Sequence, residues 1–174
     1  MLVEPLVPGQ VRVFVYGSLK RGEVNHERYC GGYLSTVPAT VWGRLYRQSS
    51  GYPMLLLPSQ HALAQSSGNA LADTHSLLEL GEQPLPAPIA GLTSSLLSQG
   101  DWQAIEGELL LFDNAATRLS DLDALEEFFP GAPSLYHRVI VPVMASNQIS
   151  LAWTYVAPAG ILPADAERTG PRWP

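Results

Sequence analysis

Apolar and polar positions in the first part of the chain alternate over short runs, the two-residue period of strands. Val11, Val13 and Val15 alternate with Arg12 and Phe14, and the run stops at Tyr16-Gly17-Ser18-Leu19, ahead of a basic pair and Gly22. Pro38 to Arg47 carries Val41, Leu45 and Tyr46 around Gly43, which predicts a strand bent or bulged at the glycine. Gly51-Tyr52-Pro53 is turn chemistry, and Met54 to Leu57 is a short strand that Pro58 ends. Strand character returns over Trp102 to Phe112, Leu135 to Met144 and Ile149 to Val156. Helices are fewer. Asn25 is placed to cap a short one that Gly31-Gly32 would close. The best helix runs from about Ala115 to Phe129, with Leu119, Leu122, Leu125 and Phe129 in one apolar stripe and Asp113-Asn114 as its cap. Strands outnumber helices and most connections are short, so the expected fold class is a mixed α+β domain with a curved, barrel-like sheet.

Residues 59–101 change character. The stretch is rich in Ser, Gln, Ala, Leu, Gly and Pro; short helical turns are expected at Leu77-Leu78 and Leu96-Leu97, with Pro84, Pro86 and Pro88 blocking anything longer. It reads as a loop or flap inserted into a single domain spanning 1–174. The proline-rich tail from Ala157 is expected to be irregular, and Met1 to Gln10 a lead-in.

Composition narrows the partners. The formal net charge is -6 and Lys20 is the single lysine, so no basic run is present to neutralise a phosphate backbone or dock on anionic lipid. No secretory pattern opens the sequence and no apolar run has the length of a membrane span, which makes a cytoplasmic protein the expectation. The lone cysteine, Cys30, excludes an internal disulfide and reads as a small buried side chain. His26, His61, His75 and His137 show no metal-site spacing, and no metal is expected. Serine-hydrolase, P-loop and dinucleotide signatures are absent.

Two features carry candidate chemistry. Gly17 directly after a buried strand permits a sharp turn and close approach of a ligand to the main chain, and Ser18 adds a hydroxyl; an ordinary turn is the plain alternative. Glu126 falls in the apolar stripe of the last helix, whereas Glu127, about 100° further round, turns to solvent. A carboxylate there is paired, with Arg138 the obvious partner, or lies at the stripe's edge, or is functional. Asp121 and Asp123 are expected to serve the first turns of that helix or face solvent.

Three blocks in order give these features a context: FVYGSLKRG followed by Asn25-His26; Ile105-Glu106-Gly107-Glu108-Leu109 leading to Leu122-Asp123-Ala124-Leu125-Glu126; and Ser134-Leu135-Tyr136-His137-Arg138. Together they resemble the γ-glutamylcyclotransferase-like family, including γ-glutamylamine cyclotransferases and AIG2-like proteins. The resemblance implies a small mixed barrel and intramolecular aminolysis of a γ-glutamyl amine or peptide, releasing 5-oxoproline. It implies that Tyr16, Gly17, Ser18 and Leu19 hold the γ-glutamyl group and that Glu126 is the catalytic base, with Tyr136 lining the pocket. The substrate is its own nucleophile, so no cofactor is implied. The rival readings are a non-catalytic binding or regulatory barrel, and a biosynthetic variant that unmasks a larger γ-glutamyl product.

Overall fold

The computed structural model describes residues 3–86, 101–158 and 161–174. In chain order these form β1 (Val11–Val15), α1 (His26–Cys30), β2 (Ser35–Arg47), β3 (Pro53–Leu56), a 3-10 turn at Ser59–His61, β4 (Ala64–Gln65), α2 (Ala70–Glu82), β5 (Gln103–Phe112), α3 (Ala115–Leu125), β6 (His137–Ala145), β7 (Gln148–Val156) and β8 (Glu167–Arg168). The order β2-β5-β1-β7-β6 closes on itself because β6 returns to β2 through Ala39↔Ala145 and Thr40↔Met144. The result is a closed five-stranded mixed barrel, antiparallel throughout except where β1 runs parallel to β7 at Val13↔Trp153. The α+β barrel expected from the sequence is present.

Alternation along β1 has a direct structural meaning. Val11, Val13 and Val15 join a core shared with α1, α2 and α3, through Cys30, Leu77, Leu119 and Leu122. Phe14 and Tyr16 belong to a second core, with Val41, Ile105, Val141 and Val143, that receives no helical residue and fills the barrel. Because β1 is buried on both faces, it is the strand from which the barrel and its helical cover are both built.

The bend predicted at Gly43 is where β2 changes partners. It pairs with β5 as far as Gly43↔Gln103 and with β3 from Arg44↔Leu56 onward. A Cβ on Gly43 would lie 2.7 Å from Leu55 Cδ1 and 2.8 Å from the Leu56 carbonyl oxygen.

Four expectations need correction. In the 59–101 segment, α2 is a 13-residue helix, capped by the Asn69 side chain accepting from the Ala72 N–H. Pro84 and Pro86 fall after its end and so do not interrupt it; the turn expected at Leu96-Leu97 lies outside the described residues. Second, α3 stops at Leu125 rather than Phe129. Phe128 is buried while Phe129 is 53% exposed, because the chain leaves the helical path in between. Third, Asn25 precedes α1 without capping it through its side chain, and neither does Asn114 for α3. Fourth, the tail is structured: β8 pairs with β2, the Pro171 carbonyl accepts from the Glu106 N–H, and Trp173 is buried in the barrel core.

Arg138, the partner weighed for Glu126 among the alternatives, is engaged elsewhere. The buried Arg138 guanidinium donates to Asp123 from Nε at 2.7 Å and to Asp73 from Nη2 at 3.0 Å, and it lies 4.6 Å from the Trp153 ring centre. Asp123 therefore does not face solvent. It also accepts from the Tyr155 hydroxyl at 2.6 Å. Ser66 and Ser67 complete the shell of Asp73. Burial alone would raise the Asp73 carboxyl, but those hydrogen bonds and the Arg138 charge hold it below its usual range. Arg138 thus fastens α2 and α3 to β6. Removing its charge strands two carboxylates in the interior. Arg138→Leu is expected to lower stability by about 3–5 kcal/mol in urea unfolding; a loss below about 1 kcal/mol would contradict this role.

Candidate active site

The turn after β1 is held in place from several sides. The Asn25 side chain donates to Ser18 Oγ at 3.0 Å, and the Asn25 N–H donates to the Ser18 carbonyl at 3.1 Å. His26 Nδ1 lies 2.8 Å from the Leu19 carbonyl, and Lys20 Nζ donates to the Trp173 carbonyl at 3.1 Å. Arg21 binds Glu108 of β5 through its backbone N–H at 2.8 Å and Nε at 2.9 Å. Gly17 sits against β3: a Cβ there would meet Pro53 Cγ at 2.4 Å. Glycine is required because no side chain fits in that gap.

This turn forms one wall of a cavity of about 400 Å³. Tyr16, Gly17, Ser18 and Leu19 line it on one side, and Glu126, Glu127 and Tyr136 line it on another. All six residues singled out in the sequence therefore meet in one place, although Tyr16 and Tyr136 lie far apart in the chain. Sequence analysis missed Asn25, Tyr29, Tyr52 and Tyr155, which also line the cavity. Asn25 carried a signal, since an asparagine soon after the turn could bond to it. The tyrosines on separate elements carried none.

Glu126 is the C-cap of α3, half-buried at the cavity wall. Among the described residues, no hydrogen bond or ion pair reaches its carboxylate. Burial pushes its pKa up from 4.5 to about 7. Its charge is felt by the neighbouring tyrosines. Burial raises Tyr16, Tyr136 and Tyr155, and the Glu126 carboxylate adds to the rise in each. Those hydroxyls stay protonated and fixed. Tyr16 donates to the Tyr155 carbonyl at 2.6 Å; Tyr136 donates to the Pro53 carbonyl and accepts from Gln48 Nε2 at 3.0 Å. Cys30 is buried, with its thiol pushed up to about 12 by burial, an inert state for a sulfur nucleophile. Among the described residues no group of three or more His, Cys, Asp or Glu is placed to hold a metal ion, and no helix is long and apolar enough to cross a membrane.

Barrel and cavity together define a small α+β scaffold with a half-buried, unpaired carboxylate, Glu126, beside a glycine turn. Residues 13–79 and 58–173 match the model of a family described as γ-glutamyl cyclotransferase, AIG2-like, and the chain belongs to that family. A γ-L-glutamyl-butirosin B γ-glutamyl cyclotransferase from Niallia circulans is 28% identical over 146 residues, covering 83% of this chain and 65% of that protein's length. Among solved structures, a protein of Arabidopsis thaliana shares the fold with a TM-score of 0.54 at 17% identity, covering 94% of this chain and 78% of that one. An AIG2-like protein of Mus musculus aligns with a TM-score of 0.48 at 18% identity, over 90% and 82% of the two chains.

The raised pKa of Glu126 works against stability. Below about pH 4.5 the carboxyl is protonated in folded and unfolded chains alike, and no penalty exists. As pH rises to about 7 the unfolded chain ionises freely while the folded one resists, so stability falls over that window and levels off above it. At about 1.4 kcal/mol per pKa unit, the penalty is up to about 3 kcal/mol. Glu126→Gln is therefore expected to be more stable than the wild type at pH 8, by up to about 3 kcal/mol, and equal to it at pH 4. Thermal unfolding at the two pH values measures this, and equal stability at pH 8 would show that the carboxylate has a stabilising partner.

Proposed function

We propose that the chain is a γ-glutamyl cyclotransferase acting on a γ-glutamyl amine or peptide by intramolecular aminolysis, with Glu126 as general base. The observation that carries this reading is the placement of an unpaired, basic carboxylate and the Tyr16–Leu19 turn in one cavity.

The α-ammonium of a γ-glutamyl group must lose a proton before its nitrogen can attack. A carboxylate of pKa about 7 is a better acceptor than an ordinary one near 4.3. Once deprotonated, the nitrogen attacks the γ-carbonyl carbon, closing the five-membered ring and placing negative charge on the carbonyl oxygen. Backbone N–H groups of the Gly17–Leu19 turn are the donors we assign to that oxygen or to the substrate's α-carboxylate. Collapse breaks the bond to the leaving nitrogen. Of the three ammonium protons, one stays on the ring nitrogen and two end on the departing amine, one by way of Glu126. No water is consumed. The ordered hydroxyls of Tyr16, Tyr136 and Tyr155 shape the cavity and do not donate protons, since all are held well above neutral pKa. Family membership and the Niallia circulans relative support the reaction class. That relative's name also favours the reading in which a γ-glutamyl group is removed from a larger product.

The test is 5-oxoproline release from a panel of γ-glutamyl amines and dipeptides. Wild-type enzyme is expected to show an acidic limb in kcat/KM with a midpoint near pH 7, and Glu126→Gln to lose about 10²–10⁴ in kcat while remaining folded. Release that persists in Glu126→Gln would remove Glu126 from the role of base; a protein inert toward the whole panel would favour the non-catalytic barrel.

A further inference from the structure

Two strands and a helix meet at the Asp123 side chain. Register sets Arg138 of β6 opposite Tyr155 of β7, so the two side chains leave the sheet on one face. Tyr155 belongs to the core shared with the helices. Asp123 Oδ1 receives two donors there, the Tyr155 hydroxyl at 2.6 Å and Arg138 Nε at 2.7 Å. The main chain of the same residue closes α3. Phe128 N–H donates to the Asp123 carbonyl at 2.9 Å and Glu127 N–H to the Ala124 carbonyl at 3.4 Å, the paired bonds of a Schellman motif. Glu126 lies inside that closure, so the placement of Asp123 sets the placement of the acid.

Tyr155 has a second bond, made by its backbone. Its carbonyl accepts from the Tyr16 hydroxyl at 2.6 Å. Tyr16 opens the turn after β1 and lines the cavity, as do Tyr155 and Glu126. One residue thus joins both walls: the Tyr16 hydroxyl bonds to the Tyr155 carbonyl, and the Tyr155 hydroxyl bonds to Asp123, one helical turn before Glu126. Both tyrosines are buried, so water competes little for either bond. Burial also holds both phenols well above their usual pKa, so each remains a donor wherever Glu126 titrates. The Tyr155 hydroxyl is not needed to neutralise Asp123, which Arg138 already meets at both oxygens. What it adds is a fixed spacing.

We propose that Tyr155 is a positioning residue that sets the spacing between the Glu126 carboxylate and the turn at Tyr16–Leu19. This rests on the cyclotransferase reading and adds to it the link that aligns the base with the substrate's ammonium. Tyr155 acts through Asp123 and Tyr16 and transfers no proton itself. A misplacement of about 1 Å costs about 10²-fold in rate, so a loosened link shows in kcat while binding persists.

Tyr155→Phe keeps the ring, the backbone carbonyl and both Arg138 bonds to Asp123. With a γ-glutamyl amine that the wild type cyclises, kcat is expected to fall about 10–100-fold and KM to stay within about twofold. Tyr16→Phe breaks the other end of the link. The double variant is expected to lose no more than the worse single one, because one link is broken only once. An unchanged kcat in Tyr155→Phe, a loss confined to KM, or single losses that multiply in the double variant would each overturn the inference while leaving cyclisation intact. Amide hydrogen exchange reads the link without turnover, at Lys20, whose N–H donates to the Gly17 carbonyl, and at Phe128. Tyr155→Phe is expected to speed exchange about tenfold at both sites and not in β6. Exchange unchanged at either site would overturn the link. That readout holds even in a protein inert toward every γ-glutamyl substrate, the outcome that counts against the cyclotransferase reading instead. If Tyr155→Phe does not fold, Tyr16→Phe alone carries both readouts, with the same results expected and the same results overturning the inference.

Discussion

Everything near the cavity depends on where the charge of Arg138 goes. Its guanidinium lies inside the protein between Asp73 and Asp123, bonded to both. A buried cation needs such partners, because separation from either carboxylate in the interior is far more costly than an exposed ion pair is favourable. The consequence reaches beyond stability. Asp123 sits one helical turn before Glu126 and holds the Arg138 guanidinium, while among the described residues no ion pair or hydrogen bond reaches the Glu126 carboxylate.

That arrangement also gives the 59–86 region a structural task. Asp73 lies in the first turn of α2 and is oriented by Ser66 and Ser67 just upstream. Helix α2 packs on α3 and on β7. The carboxyl of Asp73 is held below its ordinary range while that of Glu126 is held above it. Burial pushes both upward. The difference lies in the hydroxyl and guanidinium donors around Asp73, which Glu126 lacks. Two carboxylates on adjoining helices are thereby shifted in opposite directions, one held ionised by its donors and the other left with a raised pKa.

The sequence made much of this legible, and the gaps have physical causes. Strand alternation at Val11–Val15 sorted side chains between the two cores, and the stripe at Leu119 and Leu122 reported burial, because local periodicity and tertiary packing agree there. The turn at Tyr16–Leu19 and the misplaced carboxylate at Glu126 were visible for the opposite reason: each departs from its local pattern. What could not be read was pairing at long range. Arg138 had several acidic candidates, and nothing local distinguishes Glu126 from Asp123 as its partner. Asp73 lay in a stretch whose prolines suggested nothing longer than short helical turns, although Pro84 and Pro86 fall beyond the helix end. Trp173, in a proline-rich tail, joins the barrel core through contacts that no short-range pattern encodes.

The end of α3 shows how stability and site chemistry are set against each other. A helix ending in Gly rather than Glu126-Glu127 would adopt the same Schellman turn with less strain and no adverse charge at its C-terminus. The chain instead places one carboxylate at the half-buried cap and the next in left-handed backbone, both lining one cavity. The local losses are tolerable because the helix is anchored independently, by Leu119 and Leu122 in the core and by Asp123 on Arg138. Anchoring three residues upstream of the cap fixes the last turn, so the acids need not contribute to holding it. Their chemistry is free to be determined by what enters the cavity.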